Sequence, residues 1–140
     1  MSRRVVAAIA VSFWLIAVPA FANEELIGCY RMGNPNGGPD IVISRQGQAY
    51  AIQYLGKKPF SVAAKTATAK DRSDIEEFVG DMVRTKFRVI AALADQDSVY
   101  ALLDREVSDP TAQQNWGRTR FAALDWDFGP FLMYRVPCTR

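Results

Sequence analysis

The sequence predicts a β-rich α+β domain: a small antiparallel β-barrel or sandwich of about seven to eight strands with one amphipathic helix, at about residues 73–84. Three observations predict it. Short segments alternate between two faces with the period of a strand, as where Tyr50, Ile52 and Tyr54 alternate with Ala51, Gln53 and Leu55. Clusters of Gly, Pro, Asn and Asp separate these segments. One stretch alone follows the helical period: Ile75, Phe78, Val79, Met82 and Val83 fall at i, i+3, i+4, i+7 and i+8.

The chain opens on a secretory leader. Arg3 and Arg4 supply its positive region, residues 5–18 an uncharged apolar run, and Ala20-Phe21-Ala22 a small-x-small cleavage site. Residues 1–22 are therefore expected to be cleaved, leaving residues 23–140 as one globular domain. A second reading uses Leu26-Ile27-Gly28-Cys29 as a lipobox with Cys29 lipidated. Asn23-Glu24-Glu25 then stands between the apolar run and that motif, where ionised groups are costly in an apolar setting.

Cys29 and Cys138 are the only cysteines, near the two ends of the mature chain. They are expected to pair, which requires an oxidising compartment, the periplasm or the outside of the cell. Closing so long a loop contributes on the order of 4–5 kcal/mol in the chain-entropy picture.

Within residues 23–140 the elements follow in order. Leu26, Ile27, Cys29 and Tyr30 suit a first strand. Residues 33–40 are a loop dense in turn formers. Residues 41–45 and 48–55, separated by Gln46-Gly47, form the clearest hairpin. A turn at 56–59 leads to a shorter strand at 60–64. Ser73, with Glu76 three residues on, has the spacing of a capping box, and Asp74, Glu76 and Glu77 complement the helix dipole. Residues 85–94 fit either more helix or a strand. Ending the helix near Arg84 and placing a hairpin at 87–103, turning at Asp95-Gln96-Asp97, fits the alternation better. Residues 104–115 are polar, contain Asp109-Pro110, and are expected to be a loop. Strands at 119–124 and 131–136 then flank a turn at 125–130 and return the chain to Cys138. Gly28-Cys29-Tyr30 followed by a meander resembles the opening of lipocalin-like barrels. That resemblance spans a few residues without a diagnostic motif and implies no function.

The chemistry is bounded mainly by what is missing. There is no histidine, so Ser-His-Asp and Cys-His centres and histidine zinc sites are excluded. Paired cysteines offer no nucleophile. The glycines at 33–38 lack the ending and the strand-to-helix setting of a phosphate loop. Without Arg3 and Arg4 the 17 basic residues fall to 15, level with the 15 acidic ones. That balance gives no reason to expect nucleic acid as a partner. No cofactor, metal or stable membrane insertion after leader cleavage is expected.

Asp125 and Asp127 flank Trp126, and Asp95 and Asp97 repeat that spacing. Paired carboxylates can serve a glycosidase or bind a cation, but both pairs read first as solvated turns. Trp116, Phe121, Trp126, Phe128, Phe131 and Tyr134 crowd the C-terminal part, mostly as core. The expected partner contact is Asp125, Trp126, Asp127 and Phe128, an aromatic turn of the kind that anchors protein interfaces. Arg118 and Arg120, on one strand face, either meet an acidic partner or pair with Asp125 and Asp127. The function these features point to is a non-catalytic secreted domain that binds another protein, such as an inhibitor or immunity protein acting on a toxin or a cell-wall hydrolase. The alternative is a barrel that carries a small apolar ligand, and a carboxylate-based hydrolase ranks last.

Overall fold

A computed structural model describes residues 21–109 and 117–139. The expected leader, residues 1–22, lies outside the described residues up to position 20.

Eight antiparallel strands close into a barrel in which each strand pairs with the next and the last returns to the first. They are β1 (Gly28–Met32), β2 (Ile41–Gln46), β3 (Ala49–Tyr54), β4 (Phe60–Thr66), β5 (Val89–Ala94), β6 (Ser98–Ser108), β7 (Arg118–Asp125) and β8 (Gly129–Val136). Of the two architectures predicted, the barrel is the one formed. Helix α1 (Phe21–Glu24) precedes the barrel and α2 (Ala69–Val83) joins β4 to β5.

Alternation along the strands sorts the apolar residues into two layers. Tyr30, Ile41, Ile43, Ile52, Leu93 and Met133 point inward and fill the barrel. Val99, Ala101 and Leu103 of β6, with Ala122, Leu124 and Leu132, point outward beneath α2. The helix presents Ile75 and Val79, both fully buried, to this outer layer. β5 to β8 are therefore apolar on both faces, whereas β2 to β4 have one solvated face, which is why β3 alternates clearly in sequence and β5 does not.

The structure corrects four sequence expectations. The helix begins at Ala69, not Ser73. Thr68 is the cap: its side chain accepts from Asp71 N–H while the Asp71 carboxylate accepts from Thr68 N–H. Thr68 and Ser73 each have an acid three residues on, and the earlier site wins because Ala67 still bonds to Ala92 of β5. Phe78 leaves the apolar stripe, with 48% of its surface exposed. Residues 104–108 belong to β6 rather than to a loop, past an irregularity in the β6–β7 ladder between Leu102 and Val107. The part of that expected loop at 110–115 lies outside the described residues. A short first helix, α1, was not anticipated; it and the buried Leu26 close one mouth of the barrel. Asn23 there donates to Thr66 Oγ1 at 2.9 Å, and Glu24 pairs with Arg45. Strand β5 settles the ambiguity at 85–94 in favour of the hairpin.

Cys29 and Cys138 form the expected disulfide, with 5.2 Å between their α-carbons. It locks the β1–β8 seam that completes the ring. Arg135, on β8, reinforces the same seam. Its guanidinium donates to the Ile27 carbonyl at 3.2 Å and the Tyr30 hydroxyl at 2.8 Å, and lies 4.6 Å from the Phe121 ring centre.

The bridge spans 109 residues, so replacing both cysteines with serine is expected to cost about 4–5 kcal/mol, read as a lower urea midpoint. Arg84, at the C-cap of α2, holds a left-handed backbone (φ 53°, ψ 40°) that glycine adopts without penalty. Arg84→Gly is expected to raise stability by about 0.5–1 kcal/mol in the same assay.

Candidate functional site

Three turns join the 33–40 loop at the mouth of the barrel away from α1. They are residues 55–59 between β3 and β4, 95–97 between β5 and β6, and 126–128 between β7 and β8. Two of them are built by one device. Asp95 Oδ1 accepts from the N–H groups of Asp97 and Ser98, both at 2.8 Å. Asp125 Oδ1 accepts from the N–H groups of Asp127 and Phe128, at 2.9 and 3.1 Å. Each aspartate thus folds its own turn, as short acidic side chains do.

The remaining oxygens tie the turns together. Asp125 Oδ2 accepts from the Ser98 hydroxyl at 3.1 Å, and the Asp97 carbonyl accepts from Trp126 N–H at 3.0 Å. Asp95 Oδ2 accepts from the Tyr54 hydroxyl at 3.0 Å. Tyr54 shares a second hydrogen bond with the buried Tyr100 and stacks on Phe60 with 4.7 Å between ring centres. A continuous set of contacts therefore runs from Phe60 through Tyr54, Asp95 and Asp97 to Trp126.

Burial governs the tyrosines here. It pushes Tyr54 up to about 12, against the help of the Tyr100 hydrogen bond and with the nearby Asp95 charge adding to the rise. Tyr100 is raised further by burial and by the hydrogen bond that its hydroxyl donates to Tyr54. Both hydroxyls stay protonated and serve as structural donors.

On this polar frame the aromatic side chains stand out into solvent. Phe128 is 81% exposed, Phe60 57% and Trp126 44%. Large apolar groups held at such exposure forgo apolar burial, and their placement on fixed turns makes this rim the candidate site. Lys70, at the start of α2, sits 5.9 Å from the Trp126 ring centre and borders the patch.

Of the residues expected to meet a partner, Asp125, Trp126, Asp127 and Phe128 form one turn of this rim. Arg118 and Arg120 do not join them. β7 runs from Arg118 to Asp125, which puts Arg118 and Asp125 on the order of 20 Å apart along the strand. Arg120 instead donates to the Leu103 carbonyl at 3.3 Å, and Arg118 is exposed. Phe60, Tyr54 and Asp95 belong to the rim but were not anticipated there. The shared Asp-x-Asp spacing of 95–97 and 125–127 was the available signal.

Asp95 and Asp125 each use both carboxylate oxygens in hydrogen bonds within and between the turns. Among the described residues no group of three potential ligands is placed to hold a metal ion. The glycine-rich loop at 33–40 is held by its own chain: Arg31 donates to Asn34 Oδ1 and to the Gly38 carbonyl, both at 3.2 Å. Gly37 holds a left-handed backbone (φ +114°), which favours glycine, and it packs beneath the Arg31 guanidinium. An open cleft of about 890 Å³ lies beside α2, lined by Glu77, Asp81, Arg84, Lys86, Arg88 and Arg105 among others. Its charges balance, and its one aromatic, Phe87, is buried. No known protein family, curated protein or solved structure matches the chain.

All five tyrosines are raised above their ordinary value of about 10. Above pH 10 the unfolded chain releases protons that the folded one retains. The tyrosine contribution to stability is therefore present in full below pH 10 and is expected to be lost as pH rises from 10 to 12. The melting temperature followed across that range checks the fall, and Tyr100→Phe should make it shallower. Native tyrosinate absorbance that is complete by pH 10 would contradict the burial described.

Proposed function

We propose that this chain is a non-catalytic, secreted domain that binds another protein through the aromatic turn at 126–128. One observation carries the reading: Phe128, 81% exposed, and Trp126, 44% exposed, stand on a turn fixed by six hydrogen-bonding groups of its own and the neighbouring turn. Aromatic side chains held rigid before contact lose little entropy on binding, and Trp and Tyr dominate the energetics of protein interfaces. The acidic groups at Asp97 and Asp127 give the turn a polar border. A partner of complementary shape with a cationic border, such as the active-site cleft of a toxin or of a cell-wall hydrolase, fits such a turn. Inhibitor or immunity protein is the role we assign.

The filled interior favours a surface role over that of an apolar-ligand carrier. Tyr30, Ile41, Ile43, Ile52, Leu93, Leu102 and Met133 occupy the barrel with at most 2% exposure each. The disulfide supports an oxidising compartment, the periplasm or beyond. It also engages the Cys29 sulfur that a lipid anchor would require. Cleavage after Ala22 would remove the bond from Glu25 N–H to the Ala22 carbonyl and keep those from Leu26 N–H to Asn23 and from Ile27 N–H to Glu24. Among the described residues no helix is long and apolar enough to cross a membrane.

The test is affinity capture from periplasmic extract, with the retained partner identified and its binding then measured with purified proteins. Trp126→Ala and Phe128→Ala are each expected to weaken binding by about 2 kcal/mol, roughly thirtyfold, with the melting temperature unchanged. Unaltered affinity in both variants would remove the turn from the interface.

A further inference from the structure

The stagger that closes the barrel leaves half of β4 without a neighbour. Backbone parity follows from the β2–β3 hairpin. Its two-residue turn, Gly47 at φ +63° followed by Gln48, makes Gln46 and Ala49 a hydrogen-bonded closing pair. Ala51 and Gln53 then face β2, while Tyr50, Ile52 and Tyr54 face β4. The bond from Leu55 N–H to the Asp40 carbonyl keeps this parity. β4 accordingly meets β3 through Phe60, Val62 and Ala64 and turns the backbone groups of Ser61, Ala63 and Lys65 the other way.

Lys65 finds Ala94 of β5, and Ala67 N–H reaches the Ala92 carbonyl in the same parity. Opposite Ser61 and Ala63 there is no strand, because β5 has already turned: Asp95 N–H bonds to the Ser98 carbonyl of its own hairpin. Among the described residues nothing pairs with the N–H and C=O groups of Ser61 and Ala63. The matching bare edge of β5 is covered. Glu76 accepts from Val89 N–H at 2.9 Å, and Arg72 donates to the Val89 carbonyl at 2.8 Å. β4 has no such cover. Between Phe60 and Ala64 it also has no charge, proline or bulge, the usual devices that keep an edge from pairing.

We propose that residues 60–64 are a docking edge that takes an extended, acidic segment of a partner protein by β-strand addition. The proposal rests on the reading that this chain binds a protein, and it specifies the backbone geometry that partner brings. Two donors and two acceptors repeating every second residue match a strand and not a helix. Lys57, Lys58 and Lys65 flank the edge, exposed and without an ion pair among the described residues, so carboxylates on the incoming segment complete the charge. The exposed Phe60 ring gives an apolar contact at one end.

The test uses the intact domain, nitrogen-15 labelled, titrated with a capped peptide of alternating valine and glutamate and with its valine–lysine counterpart. The acidic peptide is expected to shift the Ser61 and Ala63 amides saturably and to bind about tenfold more tightly than the basic one. Ser61→Pro removes an N–H that the fold does not use and should weaken binding at least about tenfold with the fold retained. Should that variant not fold, the double change Lys57→Glu with Lys58→Glu leaves the backbone untouched and should reverse the peptide preference. Absence of shifts at 60–64 overturns the proposal. So does concentration-dependent dimerisation that Ser61→Pro abolishes, because the occupant is then a second copy. Binding lost in Trp126→Ala but kept in Ser61→Pro rejects the edge and leaves the turn. Edge binding that persists in Trp126→Ala keeps the edge and isolates any failure of the turn.

Discussion

The pairing of β8 with β1 is the constraint on which the rest of this molecule depends. Those two strands are the ends of the chain, and their ladder, Cys29 with Val136 through Met32 with Met133, turns an open sheet into a ring. The Cys29–Cys138 bridge lies at the end of that ladder, and Arg135 clamps its inner side against Tyr30. Closure removes free edges only if the strands are staggered. The stagger accumulates at one seam, where β4 meets β5 through Lys65 and Thr66 alone. The short β4–β5 ladder, the covering of β5 by α2 and the bare half of β4 all follow from closing the ring at its ends.

The same stagger brings the turns at 95–97 and 126–128 side by side, with Tyr54 reaching the first of them from β3. Each turn is organised by its first aspartate, and the two are joined through Ser98 and the Asp97 carbonyl. This arrangement offsets the cost of ordering an exposed loop with hydrogen bonds made inside the free protein. Trp126 and Phe128 can then face solvent without collapsing onto the barrel. The polar rim and the apolar interior are separated by the Tyr54–Tyr100 pair, whose hydroxyls serve the rim and whose rings belong to the core.

Much of this was legible in the residues. Gln46-Gly47 marks a tight hairpin, and the alternation around Tyr50 gives its register. Two cysteines near the chain ends imply a staple between first and last strands. What sequence could not supply were facts that depend on distant partners. Barrel or sandwich is decided by whether β8 reaches β1, and no local pattern encodes that. The start of α2 had two cap signals, and only the tertiary bond from Ala67 to Ala92 selects Thr68. Asp104, Arg105 and Glu106 read as loop because they are exposed and charged, yet they continue β6 beyond the part that α2 covers. Arg118 and Arg120 looked close to Asp125 in sequence, but an extended strand converts that closeness into separation. The rim was half legible: Trp126 and Phe128 were visible as an aromatic turn, while Phe60 read only as the start of a strand.

Ring closure yields a rim of fixed turns beside an unpaired half-strand. Residue-resolved amide hydrogen exchange on the disulfide-intact domain tests it most directly. Trp126, Asp127, Phe128, Asp97 and Ser98 should be protected although they lie in or beside exposed turns, while Ser61 and Ala63 exchange freely between protected Val62 and Ala64. Rim amides exchanging at the rate of an unstructured chain, or Ser61 and Ala63 as protected as their neighbours, would contradict the account.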